Sequence, residues 1–252
     1  MSGIVLDICT TAMPRPELHR QTYSSFYTNL CGVDWDNSTH YVNIDPYPTD
    51  SLADKLEMES IRDECELVSK GHFKNSVSNR TEVGNQAKAC KWCWGQTTAD
   101  YVLNLEDDWV LYQAVNINNM LAWFEREDTL QVVFRWRTQR RHRHYLPYFV
   151  LGPSIVRGEL LRMLAKELNE VNNPEIQLRS RKDFSIPIPN LETHEREELY
   201  KYFIVHSQGR HGTVAQDIGL PWIAASRFRK PQCLGPLDPK RQRTRNAVSW
   251  VL

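Results

Sequence analysis

Tyr101-Val102-Leu103-Asn104-Leu105-Glu106-Asp107-Asp108-Trp109 (YVLNLEDDW, residues 101–109) sets a short apolar run directly against three carboxylates. The run reads as a β-strand, and the acids then stand at its carboxyl end, where open α/β sheets bind their ligands. Three adjacent anions repel one another, and a hard divalent cation such as Mg²⁺ or Mn²⁺ relieves that repulsion while keeping positions open for phosphate oxygens. The same residues also suit a solvated acidic turn, or Asp107 and Asp108 capping a helix that starts nearby.

Outward from this strand, helical and extended patterns alternate. Gly84 to Thr97 carries Ala87, Cys90, Lys91 and Trp94 on one helical face. Ile4 to Cys9 reads as the first strand, followed by a helix from near Glu17 to Gly32, a strand at Tyr41 to Ile44 and a helix from Thr49 to Ser69. Further on, Gln131 to Trp136 and Tyr148 to Leu151 read as strands bracketing a basic loop, and Arg157 to Val171 as an amphipathic helix. The succession predicts an α/β fold with a mixed, mostly parallel sheet flanked by helices. A single domain is expected over residues 1–225, divided into halves 1–111 and 112–225, with a basic tail at 226–252.

The composition, 41% hydrophobic, excludes a disordered chain. No apolar run is long enough to cross a bilayer and Met1 to Cys9 lacks signal-peptide features, so a soluble cytoplasmic protein is expected, with no membrane partner. The six cysteines show no repeating spacing of a disulfide framework or two-knuckle zinc site, and Cys90 and Cys93, with no second pair to complete four ligands, suit a buried helical face. The net charge of zero hides a division: residues 1–134 carry 10 basic and 20 acidic side chains, residues 135–252 carry 21 and 11. Such a division fits either an anionic partner for the basic half or mutual neutralisation within the fold.

The stretch from Gly84-Asn85-Gln86-Ala87-Lys88 through Trp94 to Glu106-Asp107-Asp108 resembles the helix, strand and metal-binding turn of GT-A-fold glycosyltransferases. Asp7-Ile8-Cys9-Thr10-Thr11, followed by Arg15-Pro16, resembles that fold's first strand and nucleotide-binding turn. The resemblance implies a DXD-type motif, here EDD, in which Glu106 and Asp108 hold Mn²⁺ or Mg²⁺ with Asp107 in support. It also implies a nucleotide-sugar donor, a UDP-sugar first, surrounded by Asp7, Thr10, Arg15 and Asp45. The metal would neutralise charge building on the diphosphate leaving group.

Inverting transfer needs a carboxylate to take the acceptor proton, whereas retention needs no such base. Two candidates are Glu175, behind Pro174 at a helix start, and Asp217, in the Gly-flanked stretch His211 to Trp222. GT-A enzymes often use a late histidine as a metal or phosphate ligand, and the resemblance suggests His211 for that role. Arg135, Arg137, Arg140, Arg141 and Arg143 interleave with aromatic residues, and the tail adds further cations, a pattern suited to a polyanion. DNA carrying a 5-hydroxymethylpyrimidine is therefore one expected acceptor, as in the viral enzymes of this type; a protein or glycan hydroxyl is the other. A nucleic-acid-binding module without activity and a nucleotidyltransferase remain as alternatives.

Overall fold

The computed structural model describes residues 3–49, 51–125, 129, 131–134, 145–146, 149–171, 173–177, 203–206 and 215–219, with backbone alone at 145–146, 175–176 and 203–206. The elements run β1 (Asp7–Ala12), α1 (Pro16–Asn29), β2 (Leu30–Cys31), β3 (Thr39–Ile44), α2 (Leu52–His72), β4 (Asn75–Arg80), α3 (Gln86–Gln96) and β5 (Tyr101–Glu106). They continue with β6 (Trp109–Leu111), β7 (Val115–Asn116), α4 (Ile117–Leu121), a 3₁₀ turn (Ala122–Glu125), β8 (Gln131–Phe134) and β9 (Tyr145–Leu146). The last are β10 (Ser154–Arg157), α5 (Gly158–Glu167), α6 (Pro174–Gln177), β11 (Phe203–His206) and β12 (Ala215–Asp217).

Among the described residues, eight strands form one sheet in the order β4-β3-β1-β5-β10-β8-β11-β9. The β4-β3-β1-β5 block and the β8–β11 pair are parallel, and β10 and β9 run antiparallel to their neighbours. The expected mixed, mostly parallel sheet flanked by helices is the observed architecture.

Strand periodicity explains the packing, because successive side chains point to opposite faces. Ile8, Leu103 and Leu105 join Tyr23 and Phe26 of α1 in one core, while Cys9 and Val102 join Cys90, Cys93 and Trp94 of α3 and Leu161 and Leu164 of α5 in another. The central strands are covered on both sides, as parallel strands require. Helix starts follow local chemistry: Pro16 occupies the first turn of α1, Ser51 accepts from the Asp54 amide (3.3 Å) and Asn85 from the Lys88 amide (3.0 Å).

Several boundaries differ from the sequence reading. The first strand begins at Asp7 rather than Ile4 and continues through Thr10 and Thr11, which pair with both β3 and β5. The segment expected as a strand at Tyr148 to Leu151 is not one over 149–151. Phe149, Val150 and Leu151 are buried, but their backbone is taken by side chains: Gln131 donates to the Val150 oxygen (2.7 Å) and accepts from its amide (3.1 Å), and Asn104 donates to the Leu151 oxygen (2.6 Å). The strand lies instead at Ser154–Arg157, and the helix after it stops at Glu167, short of Val171. β4 was not expected, because Asn75-Ser76-Val77-Ser78-Asn79-Arg80 has no apolar alternation; it forms one end of the sheet order, half-covered, where polar residues are tolerated.

Candidate functional site

From β1 the chain proceeds to β3 and β4 on one side, whereas β5 lies on the other, so the strand order reverses between β1 and β5. Such a reversal opens a crevice outside the carboxyl ends of the two strands. Glu106 ends β5 there, in register with Thr11 of β1. The acidic turn therefore stands at the switch point of the sheet.

The turn is neither solvated nor a helix cap: Asp107 is 2% exposed, Asp108 5%, and the strand β6 follows at once. Strand alternation parts the acids. Glu106 continues the Val102, Asn104 face toward α3, and Asp107 turns to the α1 side. There Arg15, 1% exposed, donates from Nε to Asp107 Oδ2 (3.0 Å), pairs with its Oδ1, and reaches Asp108 Oδ2 (3.0 Å). The Met13 amide donates to Asp107 Oδ2 (3.0 Å), and His19 Nε2 is shared between the Met13 oxygen (2.9 Å) and Asp107 Oδ2 (3.2 Å). Burial opposes ionisation of Asp107, but Arg15 and then His19 outweigh it and hold its pKa well below the usual carboxylate range. Burial likewise opposes a charged His19, and Cys65 and Asp107 more than offset it, pushing its pKa up to about 10.

Two expectations bear on this arrangement. The repulsion among the three acids is relieved from within, by Arg15 and His19, so acidity alone does not demand a cation. Arg15, expected beside a nucleotide, bonds Asp107 and Asp108, and Asp107, expected in support of the metal, turns to the α1 side.

Glu106 is half-buried and accepts from Trp109 Nε1 (3.2 Å) and from Gln86 Nε2 (3.4 Å). Gln86 in turn accepts from Asn173 (3.3 Å), which precedes α6, so the short helix carrying Glu175 sits two hydrogen bonds from Glu106. The other base candidate arrives by a different route: β12 pairs antiparallel with β6, setting Asp217 opposite Trp109, and the Ile218 amide donates to the Asp108 oxygen (2.7 Å). Asp217 is exposed and accepts from the Gly219 amide (2.8 Å). The fold thus gathers Glu106, Asp108, Asp217 and the backbone of Glu175 at one end of the sheet.

Other candidates are placed differently. Asp45, just past β3, lies at the same end, where it accepts from Asn43 (2.7 Å), Thr81 (2.5 Å) and the Asn85 amide (2.8 Å); burial raises its pKa against these bonds. Thr10 is fully buried and bonded to His40 (2.9 Å), whose own pKa burial lowers to about 3. Thr11, one residue on, is the partly exposed threonine beside Glu106. Asp7 starts β1 and accepts from the Thr98 (2.5 Å) and Ala99 (2.8 Å) amides, at the opposite end from the acidic turn. His211, the arginines from Arg135 to Arg143 and the 226–252 tail lie outside the described residues.

Among the described residues no group of three His, Cys, Asp or Glu could hold a metal by protein ligands alone. Two hard carboxylates, Glu106 and Asp108, remain as the donor set. That number suits Mg²⁺ or Mn²⁺ when substrate phosphates and water complete the shell, so the residues fit such an ion. His19, Gln86 and Gly219 were not singled out from sequence. His19 had a legible signal, since Arg15, His19 and Thr22 form a polar row at helical spacing on the otherwise apolar face of α1.

No family model and no curated protein matches this chain. Solved structures similar to it include a mannosyltransferase, PcManGT from Pyrobaculum calidifontis, in complex with GDP-Man and Mn²⁺ (13% identity, 64% of this chain and 47% of that one, TM-score 0.48). Residues 1–349 of S. aureus TarS in complex with UDP-GlcNAc are similar over 84% of this chain and 60% of that one (11% identity, TM-score 0.44). A CMP:2-keto-3-deoxy-manno-octonic acid synthetase complexed with CTP is similar over 88% and 97% (10% identity, TM-score 0.49). The chain spans less than two thirds of the first two, and at these identities and scores the likenesses assign it neither an activity nor a ligand.

Proposed function

We propose that this chain is a metal-dependent glycosyltransferase that moves a sugar from a nucleotide diphosphate donor to a hydroxyl acceptor. The observation that carries the reading is the placement of Glu106 and Asp108 at the sheet's switch point, with Asp217 delivered beside them by β12. Glu106 and Asp108 would hold Mn²⁺ or Mg²⁺, which when bound offsets the charge of the departing diphosphate. In the transfer the bond from the sugar's anomeric carbon to the phosphate oxygen breaks and one to the acceptor oxygen forms. For an inverting course the acceptor proton passes to Asp217, the exposed carboxylate of the cluster, with Glu175 as the second candidate. Asp45, just past β3, and Thr11, near the end of β1, would contact the nucleoside.

The donor we favour is a UDP-sugar. An acceptor in hydroxymethylated DNA rests on the basic residues 135–143 and 226–252. The test is incubation with a panel of sugar nucleotides and Mn²⁺, against hydroxymethylated DNA, glycans and peptides, read by mass spectrometry. A sugar mass added to one acceptor class, lost on chelation, is the expected result. Pyrophosphate released from a nucleoside triphosphate would identify a nucleotidyltransferase, and salt-sensitive DNA binding with no turnover would identify a binding module.

A further inference from the structure

Two remote parts of the chain meet on one carboxylate. From the first βα turn, Arg15 donates to Asp108 Oδ2 at 3.0 Å and is itself fixed by Asp107. From the end of β12, Gly219 lies so close to the same side chain that a Cβ there would collide with Oδ2 and stand 2.8 Å from Cγ and 2.9 Å from Cβ of Asp108. A flexible side chain could swing away, but Asp108 is buried, its backbone oxygen holds the Ile218 amide (2.7 Å), and moving its carboxylate strains the pair with Arg15. Any side chain at 219 must therefore displace Asp108 or lift β12 from β6. Gly71 on α2, with nothing within 4 Å of its Cβ position, shows that close approach is not general to the glycines of this fold.

We infer that Arg15 and Gly219 are positioning residues that jointly fix the Asp108 carboxylate, and so set how tightly the acidic turn takes up a divalent cation and its diphosphate donor. Arg15 supplies a planar fork that a lysine cannot reproduce, and Gly219 supplies the absence of a side chain. The inference rests on the function proposed above, and it adds the segment after β12 to the donor side of the site.

The test is a double-mutant cycle with Arg15→Lys and Gly219→Ala, with Gly71→Ala as the control. Mn²⁺ affinity is read by electron paramagnetic resonance without donor, and thermal midpoints are read without metal. Each site variant should weaken Mn²⁺ binding by about 10- to 100-fold, the range for residues that orient a ligand. The double variant should fall short of the sum in both affinity and midpoint, because both act through one carboxylate. Donor KM should rise more than kcat falls. Additive losses, or coupled midpoints with Mn²⁺ affinity at the wild-type value, would overturn the inference while leaving the proposed function standing. A wild-type chain that binds neither Mn²⁺ nor a sugar nucleotide would overturn both.

Discussion

Asp7 and Asp107 are buried carboxylates at opposite ends of adjacent strands, and they are satisfied in opposite ways. Asp7, at the start of β1, is held by two neutral backbone amides of the loop after α3. Asp107, past the end of β5, is held by a guanidinium, an imidazole and one amide, all from the β1–α1 connection and α1. Amides fix a loop without adding charge. Cations compensate an acid whose neighbours, Glu106 and Asp108, are also acids. Burial of a carboxylate therefore does not mark a site; the charge of its partners, and what stands beside it, does.

The comparison breaks most sharply at Asp107. Asp107→Ala leaves Arg15 and His19 buried against a single remaining acid and should cost about 3–5 kcal/mol of stability, seen as a lowered denaturant midpoint. Asp108→Ala should spare the fold, because Arg15 keeps Asp107, yet reduce donor turnover by about two to three orders of magnitude, the scale of a lost charge-stabilising group; turnover at the wild-type rate would sink the metal assignment. Asp7→Ala should cost about 1–3 kcal/mol through two orphaned amides and leave donor affinity unchanged. A matching loss of donor binding would return Asp7 to the site.

A further effect is in pH. His19 has a folded pKa of about 10, against about 6.5 unfolded. Its contribution to stability is thus fully present below the unfolded value and is lost as pH rises through the folded one. Unfolding midpoints measured between pH 6 and 10 should decline, and His19→Gln should flatten that part of the decline.

The acidic turn was legible because apolar and charged residues meet there without a spacer, and the helices near Glu17, Thr49 and Gly84 were legible from their spacing, while the caps Ser51 and Asn85 that set two of their starts were not read. β4 was not legible, since a polar edge strand carries no alternation, and neither was the loop at 149–151, where burial is satisfied by Gln131 and Asn104 instead of by strand pairing. Thr10 and Arg15 were read as surrounding a nucleotide, and the protein partners each takes, His40 and Asp107, are side chains distant in sequence.

By itself the sequence determined the alternating α/β plan and the strand that ends in Glu106, because local periodicity and turn chemistry reach only a few residues. Tertiary structure alone decided that Glu106 and Asp107 serve opposite faces, that Arg15 neutralises the turn from inside, and that β12 returns Asp217 and Gly219 to Asp108. Those relations are pairings between segments far apart in the chain, and distance in space is set by how the sheet closes.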